Sequence, residues 1–159
     1  MLNGSSIETD LDDWQQMIDL NLTALVTVTK AALPHLLASA RTSSRGVADI
    51  VNISSIAGRV ANAQVAVYNA TKFGVTAFSE SLRQEFTREN LRVAVIEPGA
   101  VDTELYDHAR PASQRHYETL FAGVEKLHPE DVSELVGYLV TRPRRVAINE
   151  VVMRPTDQV

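Results

Sequence analysis

Cysteine is absent from the 159 residues. That excludes disulfide staples, thiolate metal sites and thiol chemistry, and it agrees with a reducing compartment. Basic residues are in the minority, with 15 Lys and Arg against 20 Asp and Glu and a net charge of -5. A groove that tracks a phosphate backbone needs the opposite balance, so nucleic acid is not an expected partner. No apolar run approaches the roughly 20 residues that span a bilayer. The first ten residues have neither the basic start nor the apolar stretch of a signal peptide. Internal repeats and low-complexity tracts are also lacking. These absences predict a soluble, cytoplasmic chain with no membrane partner. Its 45% hydrophobic and 22% charged residues suit one globular domain over residues 1–159.

What is present is an alternation of helical and strand patterns. Leu11, Trp14, Ile18, Leu22, Leu25, Val28, Ala32 and Leu36 recur at helical spacing, which predicts a long amphipathic helix over 9–39 with Thr9, Asp10, Asp12 and Asp13 at its start. Pro34 is expected to bend or end it, and 40–46 to form a surface connection. Residues 47–53 are a short run rich in β-branched side chains, as in a buried parallel strand. A second long helix is expected over 63–89, then a strand over 91–96 stopped by Pro98 and Gly99. Residues 102–126 are polar and irregular and predict a mobile flap. Pro129, Glu130 and Asp131 start a helix that runs to 141, and 146–153 is the last strand. The order predicts an α/β fold, a doubly wound parallel sheet between two helical layers. Only three strand candidates are found, fewer than the five or six usual for such a sheet.

Tyr68 and Lys72 stand four residues apart on a helix, so both side chains leave one face. A phenol titrates near 10, too high for ready proton transfer at neutral pH, and an adjacent ammonium is expected to lower that value. Alone, such a pair is more often a solvated helix face. Upstream, Ser54, Ser55 and Gly58 follow a buried strand at the end where ligands of open α/β sheets bind, although a Ser-rich turn satisfying its own backbone has the same look. The histidines His35, His108, His116 and His128 are scattered without metal-ligand spacing, and no metal site is expected. Arg142, Arg144 and Arg145 favour the negative end of the last helix, with a phosphate contact as the less favoured reading.

The segment from Ile50 through Gly58, followed after a thirteen-residue spacing from Ser55 by Tyr68-Asn69-Ala70-Thr71-Lys72, resembles the active-site signature of the short-chain dehydrogenase/reductase family. Asp19-Leu20-Asn21-Leu22 is similar to that family's helix asparagine, and Pro98-Gly99-Ala100-Val101-Asp102-Thr103 to its Pro-Gly loop. The four matches stand in the family's order along essentially the whole chain. The family's Thr-Gly-x-x-x-Gly-x-Gly turn and Asn-Asn-Ala-Gly segment have no counterpart here. The resemblance therefore implies the C-terminal part of a Rossmann-like fold with its N-terminal strands missing, Leu2-Asn3-Gly4 following directly after the second segment.

By this resemblance the chain is an NAD(P)-dependent oxidoreductase that interconverts an alcohol and a carbonyl by hydride transfer. Tyr68 would exchange the proton, Lys72 would lower its pKa and bond the nicotinamide ribose, Ser55 would polarise the substrate oxygen, and Asn21 would hold a water leading to Lys72. Tyr68, Lys72, Pro98, Gly99, Val101 and Thr103 would contact the coenzyme, and a flap over 104–126 would close on a small-molecule substrate. The ending Ile148 through Thr156 resembles members related to bacterial 3-hydroxy acid and serine dehydrogenases, which points to NADP, with NAD as the alternative. Homodimers or homotetramers built on the two long helices are expected. The competing expectation is a truncated, non-catalytic homologue that acts only through protein association.

Overall fold

A computed structural model of the chain describes residues 2–107, 109 and 111–158, with the backbone alone at 112 and 116. Strands Ala48–Ile53 (β1), Leu91–Pro98 (β2) and Glu150–Met153 (β3) form a parallel sheet in the order β1-β2-β3. Ala48 pairs with Leu91 and Ile53 with Ile96, while Val95 pairs with Glu150 and Pro98 with Met153. Parallel neighbours require a helical crossover, and helix Ala66–Phe86 (α3) supplies it between β1 and β2.

Alternation along β2 sorts the core into two layers. Leu91 and Val93 pack with Ala48, Leu82 of α3 and Ala40, and helix Ala24–Thr42 (α2) adds Leu33, Leu36 and Leu37. Ala94 and Ile96 face the other way, onto Leu139 of helix Pro129–Val140 (α5), with Val132, Leu135 and Val136 around them. Both faces of β2 are thus covered, as its continuous apolar run demands. Leu91 is so enclosed that truncation to Ala would cost about 2–5 kcal/mol. The result is a three-layer α/β arrangement of Rossmann-like type.

Several boundaries differ from those expected. The first helical pattern divides into helix Leu11–Ile18 (α1), a π-helical turn Asp19–Thr23 and α2. Pro34 lies inside α2 without ending it, and the connection expected from 40 begins only after Thr42. Packing of Leu33, Leu36 and Leu37 on the core carries the helix past its lost backbone donor. β2 continues through Pro98, because a proline at a strand's last residue forfeits little pairing, and Gly99 N–H bonds Met153 O at 2.8 Å instead. Residues 146–149 are not strand: Val146 N–H turns back to Pro143 O at 2.8 Å. The expected irregular flap contains a helix, Pro111–Leu120 (α4).

The rod 11–42 contains an 18-residue window of mean hydropathy 1.3, almost wholly unburied, so by length and composition it is apolar enough to cross a membrane. Counting uninterrupted apolar runs missed this, since the average rises through Ala, Val and Leu between isolated polar residues. One side of the rod is committed to the sheet through Leu33, Leu36 and Leu37. Leu20 and Val28, at 71% and 67% exposure, are not.

Candidate active site

The carboxyl ends of β1 and β2 open onto a cavity of about 650 Å³ whose lining includes Ser55, Tyr68, Lys72, Pro98, Gly99, Val101 and Thr103. Six of the residues singled out by sequence thus share it with Lys72 as the seventh, although they come from three separate stretches of chain. Asn21 is not among the lining residues.

Ser55 has extended backbone and caps a short 3-10 turn, Ile56–Gly58, its Oγ accepting Ala57 N–H at 3.1 Å. The turn is held tightly against α3. A Cβ on Gly58 would meet Ser54 Oγ at 2.6 Å and Lys72 O at 2.9 Å, so the helix backbone approaches only because residue 58 is glycine. Ser54 Oγ donates to Lys72 O at 3.0 Å and lies 3.0 Å from Thr76 Oγ1. These bonds fix the height of α3 against β1, and with it Tyr68 and Lys72.

Burial and a hydrogen bond compete at Tyr68. Desolvation pushes the phenol above its ordinary value, and a bond with the Ser55 hydroxyl pulls it back in part. Lys72 is pushed down to about 8, because burial disfavours its charge. Lys72 Nζ donates to Ile53 O at 3.1 Å and lies 5.8 Å from the Tyr68 ring centroid. At this separation Lys72 is not among the influences on the phenol, and the Ser55 bond offsets the loss of solvation only in part, so Tyr68 stays above its ordinary value.

Asn21 falls in the π-helical turn, where Ala24 N–H reaches back five residues to Asp19 O. Such a turn inserts one residue into the helical ladder and shifts the carbonyls around it off the regular track. Its Nδ2 donates to Thr71 Oγ1 at 3.2 Å, and Thr71 Oγ1 donates to Tyr68 O at 2.8 Å, tying α3 to the turn.

Beneath the cavity lies a carboxylate that sequence reasoning missed. Glu97 is fully buried on β2, accepting from Thr76 Oγ1 at 3.3 Å and ion-paired with Arg59, which also pairs with Glu150. A lone acid in an apolar strand, one residue before Pro98, was the available signal. The tail contributes too: Gln158 Oε1 accepts Ala100 N–H at 2.9 Å, and Asp157 joins the lining.

The remaining wall is aromatic. Tyr106, Tyr117 and Phe121 form a cluster, with Tyr106 and Tyr117 centroids 4.8 Å apart and Tyr117 stacked on Phe121 at 6.3 Å. Burial drives the phenol of Tyr106 above its ordinary range, and that of Tyr117 upward as well. Tyr117, Leu120, Phe121 and Val124 recur at i, i+3, i+4 and i+7, a helical signal inside the stretch read as irregular. Buried Asn3 completes this wall.

Among the described residues no three His, Asp or Glu side chains converge as metal ligands. His108 lies outside the described residues, as does the side chain of His116. Arg142 stacks on Tyr138 at 4.0 Å and donates to Tyr138 O at 2.9 Å, a helix-end contact.

The lining fits a nicotinamide group on grounds internal to the chain. Ala100 has no exposed surface, Gly99 has no room for a side chain against Gln158 and Pro155, and Gly99 shares the cavity lining with Tyr68 and Lys72.

Known proteins carry the same arrangement of elements. A probable NADP-dependent dehydrogenase of Haemophilus influenzae is 36% identical over 152 residues, covering 95% of this chain and 58% of the relative. The closed form of a serine dehydrogenase complexed with NADP+ superposes with a TM-score of 0.87 at 36% identity, over 99% of this chain and 62% of that one. Serine dehydrogenase from Escherichia coli superposes at 0.77 with 34% identity, over 99% and 61%. The chain thus spans about three fifths of the length of the relatives it matches. The family model for short chain dehydrogenases matches residues 2–114, the stretch that holds the strand-end serine, the Tyr68–Lys72 helix and the Pro-Gly loop, and the chain belongs to that family.

Proposed function

We propose that this chain carries the proton-handling residues of an NAD(P)-dependent oxidoreductase that interconverts a small-molecule alcohol and its carbonyl. One observation carries the reading: Ser55, Tyr68 and Lys72 line a single cavity at the sheet's carboxyl end together with Pro98 and Gly99. NADP is the proposed coenzyme, supported by the NADP+ of the serine dehydrogenase complex and the name of the Haemophilus relative, with NAD as the alternative. When bound, the coenzyme supplies or accepts the hydride.

The chain's own part is to manage the proton and the oxygen's developing charge. Tyr68, its phenol raised by burial, stands protonated at neutral pH and ready to donate to the carbonyl oxygen in reduction. In oxidation Tyr68 acts after losing its proton, the phenolate oxygen taking the proton of the substrate hydroxyl. Ser55, bonded to Tyr68, orients the substrate oxygen on the second side. Lys72, titrating near 8, is mostly an ammonium at neutral pH and supports the charge left on Tyr68 as the proton departs. Asn21, beside Thr71 at the π-helical turn, would hold a water that returns the proton to solvent. Pro98, Gly99, Val101 and Thr103 would hold the nicotinamide, with Tyr68 and Lys72 across from them, and residues 104–126 would close over the substrate.

Replacing Tyr68 by Phe removes one oxygen and keeps the ring. Turnover should fall by at least about 10²-fold, the usual scale of general acid–base catalysis, while coenzyme affinity stays within about twofold. Retained turnover would refute the assignment.

Assembly as a homodimer or homotetramer, in the cytoplasm, is the accompanying proposal, supported by the exposed apolar residues Leu20 and Val28 on the rod 11–42. β1 stands at the sheet's edge among the described residues although Ile50 and Val51 are engaged by the two layers, which favours a sheet that continues beyond it. The same apolar rod supports the second reading, a non-catalytic homologue acting through association. Coenzyme titration followed by fluorescence separates the two, since an association module would assemble normally and leave the signal unchanged.

A further inference from the structure

We infer that Asn3 and Tyr117 form a latch that holds the aromatic wall over the cavity, and that they are positioning residues for substrate capture. The inference rests on the oxidoreductase reading of the cavity but concerns residues that neither the signature nor the mechanism uses.

Asn3 is 4% exposed although it is polar. Its side-chain Nδ2 bonds the Tyr117 hydroxyl, and its backbone carbonyl accepts from Ser113 Oγ at 2.5 Å. Both partners lie on α4, four residues and so about one turn apart. One residue thus grips two successive turns of the helix from a segment more than a hundred positions away. Tyr117 belongs to the three-ring aromatic wall, in contact with both Tyr106 and Phe121, which also contact each other at 5.9 Å, and all three residues line the cavity. Fixing the hydroxyl of Tyr117 therefore fixes the wall's distance from Tyr68.

The latch is built to release. Asn3 Oδ1 is buried and has no hydrogen-bond partner among the described residues, so part of what the amide gains through Nδ2 is offset by a carbonyl removed from water. Opening rehydrates that oxygen, and the closed position is favoured by a modest margin. A segment that must admit substrate and then shut needs such a balance.

The test compares the protein with its Asn3→Ala and Tyr117→Phe variants. The second keeps the ring stack and deletes only the hydroxyl, and it serves should the first fail to fold. Hydrogen–deuterium exchange of the backbone over 103–124 should accelerate severalfold in both variants, with β2 unchanged. With a turned-over substrate, KM should rise roughly tenfold while kcat and coenzyme Kd stay within about twofold. Unchanged exchange over 103–124 in the phenylalanine variant overturns the latch, as does a loss confined to kcat. Should the unaltered protein show no turnover, the oxidoreductase reading fails, and the exchange measurement still decides the latch.

Discussion

Gln158 Oε1 accepts the backbone N–H of Ala100 at 2.9 Å, joining the chain's tail to the loop that follows β2. Ala100 has no exposed surface, so this N–H has no access to water once its acceptor is gone. Replacement of Gln158 by Leu should lower unfolding free energy by about 1–3 kcal/mol in urea titration, the cost of an orphaned buried donor. Coenzyme affinity should weaken with it, because the loop it braces carries Gly99 and Val101. An unchanged urea midpoint would mean that the tail merely rests on the loop.

Lys72 makes an unusual prediction about stability and pH. Burial lowers its folded pKa from 10.5 to about 8, so between those values the unfolded chain binds a proton that the folded chain does not. Its contribution to stability thus improves as pH rises from about 8 to 10.5, and below 8 the full penalty applies. Lys72→Met should therefore be inactive yet more stable at pH 7, by about 1–3 kcal/mol, with the gap closing toward pH 10.5. Thermal or urea unfolding of both proteins across this range checks the sign.

The Arg59–Glu97 pair should respond unequally to its two halves. Glu97 is fully buried, whereas the Arg59 side chain is 40% exposed. Arg59→Met strands a carboxylate in the core and should cost about 3 kcal/mol or more. Glu97→Gln leaves an arginine that can turn to solvent and to Glu150, and it should cost about half of that or less. Equal losses in urea unfolding would show that the pair acts as a single surface bridge.

Gly58→Ala tests the packing of the serine turn on α3. The added methyl would lie 2.6 Å from Ser54 Oγ and 2.9 Å from Lys72 O, and backbone is the obstacle in the second case. Overpacking of this kind costs about 1–3 kcal/mol. It should also lower kcat more than it raises KM, since it moves Lys72 away from Ile53 without touching the aromatic wall. Wild-type kcat in this variant would show that the turn yields freely.

That Ser55, Tyr68 and Lys72 would come together could be expected from the chain, because each is placed by its own element and the family resemblance joined them. Tyr68 and Lys72 share a face by helical geometry alone, and Ser55 follows from a β-branched run that ends in a capped turn. The same holds for the two strands whose apolar character on both faces announces burial. The π-helical turn at Asn21, the continuation of α2 past Pro34 and the length of β3 were not legible. Each depends on what packs beside the segment rather than on its own propensities.

Composition and periodicity, then, determined a parallel α/β chain and put Tyr68 and Lys72 on one helix face, because these follow from side-chain spacing along single elements, while the roles of Tyr68, Lys72 and Ser55 came from the family resemblance. Only the tertiary structure decided that Asn3 would meet Tyr117, that Gln158 would brace Ala100, that a buried Glu97 would sit under the site, and that desolvation rather than Lys72 would govern Tyr68. Contacts between residues 58 to 114 positions apart carry no local signature, and the electrostatic cost of burial exists only once the chain has closed around the group.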